Sequence, residues 1–202
     1  MITFVAEYTR RIARVRAGIA IVLAFTLAGC SSMKPEDFAD REPKLVLEDY
    51  FLGQTRAWGI FEDRFGDVRR EFVVDIDGTW DGRELVLDER FAYADGEKDR
   101  RVWRIVRTGE HAYRGEADDV VGAANGVVYG NALNWQYEFD LNVNDRTWRV
   151  TFDDWMFLQP DGVLINRAKV RKWGIELGTV TLFFRKADDS SMRTSEAAAV
   201  AQ

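Results

Sequence analysis

The chain holds one cysteine, Cys30, and one histidine, His111, among 202 residues. A lone cysteine excludes an intramolecular disulfide framework and a thiolate zinc site. A lone histidine leaves a Ser-His-Asp triad only His111. That residue follows Thr108-Gly109-Glu110 in an apparent hairpin turn, and the sequence has no Gly-x-Ser-x-Gly elbow. Basic charge is also short: the net charge is −6, which argues against nucleic acid as a partner. No apolar run approaches the ~20 residues of a membrane-spanning helix; the run from Ala17 to Ala28 has twelve. Proline is scarce, at three, while the chain carries seven tryptophans, six tyrosines and thirteen phenylalanines. So aromatic-rich a chain can bury a large apolar area and is not disordered over most of its length.

The twelve-residue run is the first informative presence. Arg10, Arg11, Arg14 and Arg16 precede it, and Leu27-Ala28-Gly29-Cys30 closes it. A charged region, a short apolar region and small residues at a cut site define a secretory signal. The small pair Ala28-Gly29 admits a peptidase, and Cys30 supplies a thiol for acylation. Residues 1–29 therefore read as a lipoprotein signal peptide. The alternatives are a signal without lipidation or a short buried helix. Several acyl chains at Cys30 would anchor the protein stably, and no cofactor other than this covalent lipid (palmitate-type) is expected. By resemblance to Gram-negative lipoproteins, Ser31-Ser32 in place of an aspartate after the cysteine implies sorting to the outer membrane. The chain would then face the periplasm from the inner leaflet. Without the four arginines and one glutamate of residues 1–29, 24 basic and 33 acidic residues remain, a balance of −9.

Residues 30–43 read as the acylated cysteine and a polar tether, 44–186 as one domain, and 187–202 as a disordered tail. Lys44 to Gln54 predicts a short helix whose Leu45, Leu47 and Phe51 cap an apolar opening. From Thr55 to Arg185, turn signals recur every 8–16 residues: Gly66-Asp67, Asp77-Gly78 through Asp81-Gly82, Asp95-Gly96, Thr108-Gly109, Asp118-Asp119, Gly130-Asn131, Asn144-Asp145, Pro160-Asp161-Gly162 and Trp173-Gly174. The spacing predicts an all-β, antiparallel up-and-down meander of about ten strands.

Ala132 to Val143 alternates most clearly, with Leu133, Trp135, Tyr137, Phe139 and Leu141 on one face and Asn134, Gln136, Glu138 and Asp140 on the other. A two-residue Asn144-Asp145 turn would pair Val143 with Arg146. It then sets Leu141 opposite Trp148, Phe139 opposite Val150, Tyr137 opposite Phe152 and Leu133 opposite Met156. Apolar meets apolar at all four rungs, whereas a one-residue slip sets them against polar residues. A meander with such large inward residues closes to remove its edges, giving a calycin-like barrel with an N-terminal helical plug. An open half-barrel or sandwich is the alternative.

The chain resembles the bacterial lipoproteins grouped as domain-of-unknown-function family 3833. The resemblance rests on Val74-Asp75-Ile76-Asp77-Gly78-Thr79-Trp80-Asp81-Gly82, Ala117-Asp118-Asp119-Val120-Val121-Gly122, Tyr129-Gly130-Asn131-Ala132-Leu133, Phe152-Asp153-Asp154-Trp155-Met156 and Val163-Leu164-Ile165-Asn166-Arg167-Ala168. It implies a proteobacterial envelope lipoprotein and no catalytic residues. A looser similarity to lipocalins rests on Trp58 in the first strand after a short helix. Arg56 stands where that pattern has glycine.

The hairpin register puts Asp154 on the dry face opposite Trp135. A carboxylate in that company is paired or has a raised pKa. A four-residue Gln159–Gly162 loop sets Asp154 opposite Arg167, and a bulge brings Asn166 instead. The candidate ligand-binding residues are therefore Asp154, Arg167, Trp135, Asn166 and Tyr137, a polar anchor in an apolar pocket. A structural ion pair that fixes register, or a bulge turning both Asp153 and Asp154 outward, is the competing account. Asp118 and Asp119 are weak candidates for a hard cation, and turn chemistry explains them as well. The spread of tryptophans predicts barrel core, and Arg100, Arg101, Arg104, Lys169, Arg171 and Lys172 a solvated face. The expected function is non-catalytic binding of an apolar or amphipathic, lipid-like ligand by an outer-membrane lipoprotein. An interaction scaffold with a filled barrel is the alternative, and a carboxylate-dependent hydrolase a weaker one.

Overall fold

Ten strands run up and down and close on themselves: β1 (Gly53–Asp63), β2 (Val68–Trp80), β3 (Glu84–Tyr93), β4 (Lys98–Arg107), β5 (Ala112–Glu116), β6 (Val120–Tyr129), β7 (Ala132–Val143), β8 (Arg146–Leu158), β9 (Leu164–Lys172) and β10 (Ile175–Lys186). Each is antiparallel to its chain neighbour, and β10 pairs with β1 to complete the barrel. The computed structural model describes residues 33–143 and 146–187. The signal peptide, Cys30, the Asn144-Asp145 turn and the tail from 188 lie outside the described residues. Residues 35–143 and 146–187 form one compact unit.

Alternation in the sequence becomes alternation of burial. In β9, Leu164, Asn166, Ala168 and Val170 are buried while Arg167 is exposed. The β7–β8 register is the one the two-residue turn requires, with Leu141 opposite Trp148, Tyr137 opposite Phe152 and Asp154 opposite Trp135. Asp77-Gly78, expected in a turn, instead lies inside β2. A Cβ on Gly78 would collide with the Phe51 carbonyl. The glycine is there for close approach, and the chain reverses after Trp80.

Strand direction sorts the turns into two ends. Helix α1 (Leu47–Phe51) lies at the end of the 81–83, 108–111, 130–131 and 159–163 connections. Leu45, Leu47, Tyr50 and Phe51 are all buried there, as the plug reading requires. The Tyr50 hydroxyl reaches the carbonyls of Gly162 (3.2 Å) and Phe184 (3.1 Å). The Tyr113 hydroxyl donates to Glu48 (2.8 Å), and the Phe51 ring meets Phe184 edge-on at 5.8 Å. Val74, Ile76, Leu85, Leu133 and Leu164 fill the adjoining half of the interior, each at most 2% exposed.

Two expectations about aromatic and N-terminal residues are corrected. Of the tryptophans, only Trp103 and Trp135 are buried. Trp58 stands outside the barrel, 46% exposed, beside an equally exposed Phe183. Its position in β1 puts it out of phase with the inward Thr55, Ala57 and Gly59, and the lipocalin similarity through Trp58 loses its structural basis. Trp173 is exposed at a turn. Within the segment read as a tether, Pro35–Phe38 forms a 3-10 turn. The Phe38 ring packs at 6.0 Å from Trp155 and 5.4 Å from Phe157.

Candidate functional site

Away from the plug, the inward-facing side chains are only partly covered. Phe61, Phe72, Phe91, Tyr137 and Phe152 point inward by register, yet each keeps some solvent contact. Glu89 and Tyr137, inward by register, are likewise only partly covered. The barrel is thus plugged by α1 at one end and open to solvent toward the other, and this open half is the cup.

Asp154 lies in its wall, 7% exposed. It faces Trp135 across β7 and Ala168 across β9. Asp153 alternates outward, where it accepts from Asn134 (2.8 Å) and pairs with Arg171 (3.4 Å). Both acids are thus in regular strand, with no bulge. Burial pushes the Asp154 carboxyl up to about 8, and Asp153 and Glu89 add to the effect, while Arg101 and the Tyr137 hydroxyl oppose it. Its Oδ1 has no hydrogen-bond partner.

The expected pairing of Asp154 with Arg167 is corrected. The β8–β9 loop has five residues, Gln159–Val163, closed by the Gln159 N–H on the Val163 carbonyl (2.8 Å). Leu158 therefore faces Leu164, and Arg167 faces Trp155 on the outer wall, exposed. One residue of loop length turns a predicted interior cation into a surface one. Asn166 does point inward, opposite Met156 and Leu182. It is 1% exposed, and its Nδ2 has no partner. Trp135 is buried against Gly115 and Gly126, where any Cβ would collide with its ring. Tyr137 stacks on Phe152 (5.0 Å, 7°) and meets Trp103 edge-on at 5.5 Å.

The interior cation is Arg101, which sequence reasoning had set on a solvated face. Register puts Arg101 opposite Glu89, and Glu89 shares the inward face of β3 with Leu85, Leu87 and Phe91. The Arg101 Nε donates to both oxygens of Asp119 (3.1 and 2.9 Å). Its guanidinium lies 4.8 Å from the Phe139 ring centroid. Burial pushes the Glu89 carboxyl up to about 7; Arg101 opposes the rise, and Asp119 and Asp88 add to it. Glu89 was legible in principle. Leu85, Leu87 and Phe91 recur at every second position, and the Asp95-Gly96 turn pairs Tyr93 with Glu97, which leads by counting to Glu89 and Arg101. The charged triplet Asp88-Glu89-Arg90 masks that signal.

The remaining candidates sit elsewhere. Asp118 is exposed, Asp119 is committed to Arg101, and among the described residues no group of three His, Cys, Asp or Glu is placed to hold a metal. His111 stacks on Tyr129 at 3.9 Å, its Nδ1 against the Val128 carbonyl (3.0 Å), near the plugged end. Arg100 and Arg104 form outer-wall ion pairs with Asp88 (2.8 Å) and Glu84 (2.9 Å).

A family model covers the ten-stranded barrel and the end of the preceding apolar run, matching residues 24–186. The chain belongs to the DUF3833 family, described as proteins of unknown function. No curated protein matches it. The match takes in every cup residue of this DUF3833 chain. Two of the sequence stretches that suggested the family supply cup residues directly: Asp119 lies in Ala117–Gly122 and Asp154 in Phe152–Met156.

Proposed function

We propose that this DUF3833 protein is an envelope lipoprotein, acylated at Cys30 and held in the outer membrane facing the periplasm. Its barrel binds an apolar or amphipathic, lipid-like ligand without catalysis. Support for the anchor is the Leu27-Ala28-Gly29-Cys30 sequence at the end of a short apolar run. One observation carries the binding reading: Asp154, 7% exposed, is set inward beside the cup's aromatic rings with an Oδ1 that has no partner. Buried polar atoms without partners are rare because each forfeits a hydrogen bond to water. A cup with an apolar wall and a few convergent polar groups is the usual form of a small-molecule site.

Native mass spectrometry of the mature chain carrying Cys30→Ser, secreted to a periplasm, tests the reading. A reproducible lipid-sized added mass supports it. A bare mass after challenge with vesicle lipids overturns it. The interaction-scaffold alternative draws on Trp58 and Phe183, paired and half-exposed on the outer wall; a bare mass together with a co-purifying protein would favour it.

A further inference from the structure

Glu89, Asp119 and Asp154 put three carboxyl groups around the cup, against one guanidinium, Arg101. The pairing is unequal. Asp119 occupies the Arg101 Nε with both oxygens. Arg101 lies close enough to Glu89 to favour its charged form, but its hydrogen bonds go to Asp119. Asp154 keeps an unpartnered Oδ1 although it is more than nine-tenths covered. Further along β9 toward the plug, Asn166 is a second covered side chain with an unpartnered atom aimed inward. At the rim, Arg70 pairs with Asp95 and Glu97, and Lys172 lies over Trp148 at 3.8 Å.

From this arrangement we infer that the cup selects an amphiphile with a cationic head group, an amine or quaternary ammonium on an apolar chain. The inference rests on the ligand-binding reading above. A cationic head group beside Glu89 and Asp154 draws both carboxyls toward their charged form and gains charge attraction from them. The rings of Tyr137, Phe139 and Phe152 cluster on the β7–β8 wall next to Asp154, and aromatic faces attract cations. An anionic head group meets the opposite situation. It must displace Asp119 from Arg101 and settle between two further carboxyl groups. The apolar chain then lies along Phe72, Phe91 and Val180 toward the open end.

The experiment titrates the mature Cys30→Ser chain with dodecyltrimethylammonium and with laurate, both below micellar concentration, by calorimetry and by tryptophan fluorescence. Dodecyltrimethylammonium is expected to bind at least about tenfold more tightly than laurate. Asp154→Asn and Glu89→Gln are each expected to weaken it about tenfold, and Asp140→Asn, paired with Arg149 on the outer wall, to leave it unchanged. Circular dichroism checks folding, and either cup variant suffices if the other does not fold. Laurate binding as tightly or more tightly overturns the head-group inference and leaves the ligand-binding reading standing. An unchanged amine affinity in both folded cup variants also overturns it. No binding of either probe, together with a bare native mass, overturns both.

Discussion

Arg101 on β4 reaches past the end of the short strand β5 to Asp119 and holds both of its carboxylate oxygens from one nitrogen, at 3.1 and 2.9 Å. This contact ties the β5–β6 turn to β4 and fixes the guanidinium beside Glu89. Asp119→Asn should cost about 1–2 kcal/mol, less than a fully buried pair would, because both partners keep solvent contact. It should also bring the Glu89 titration down, since Arg101 is then free to pair with it. Urea unfolding reads the first effect and carboxyl NMR titration the second. An unchanged Glu89 titration would mean that Arg101 does not move.

Asp154 carries a pH signature. Its carboxyl titrates near 8 in the folded chain against an ordinary 3.8, so the folded state holds the proton more tightly between those values. Folding stability from this group is therefore highest at low pH and falls as pH rises through about 8, by at most about 1.4 kcal/mol per pH unit. Glu89, raised to about 7, acts in the same direction. Asp154→Asn removes that share of the slope. Relative to wild type, the variant should gain stability between pH 5 and pH 9 in denaturant titrations. A constant difference across that range would contradict the raised value.

Gly126 and Gly115 make room for the Trp135 ring from β6 and β5. Gly126→Ala should therefore destabilise by about 1–3 kcal/mol through overpacking. It should also shift the near-ultraviolet circular dichroism, because Trp135 and Trp103 meet at 5.8 Å. A variant with wild-type melting temperature and spectrum would show that the ring yields without cost.

The plug rests on Phe51 and Tyr50. Phe51→Ala should cost about 3–5 kcal/mol, the usual range for truncating a buried phenylalanine. Tyr50→Phe, which loses only the hydroxyl contacts to Gly162 and Phe184, should cost about 1 kcal/mol. Chemical denaturation of the two variants separates packing from hydrogen bonding; equal losses would deny the plug its apolar role.

How far the sequence could be read depended on turn length. The β7–β8 register followed from a two-residue turn and four apolar rungs, and Asp154 was placed inside beside Trp135 by the same count. The β8–β9 register failed by one residue, because the segment Gln159–Val163 offers no apolar alternation with which to tell a four-residue loop from a five-residue one. That single step exchanged Arg167 for Ala168 as the neighbour of Asp154. The tryptophans misled for a related reason: composition counts rings without their phase along a strand, and Trp58 and Trp155 fall on outward positions.

The sequence by itself determined an all-β meander, its strand number, the plug and the inward direction of Asp154. Period-two alternation and turn chemistry are local properties, so a single chain displays them. Only the tertiary structure decided what shares the cup with Asp154. Glu89 and Arg101 on β3 and β4 meet Tyr137 and Asp154 on β7 and β8 because the sheet curls until non-neighbouring strands face each other. Contact across a closed barrel depends on its curvature and on every register around it, and no stretch of sequence carries that information alone.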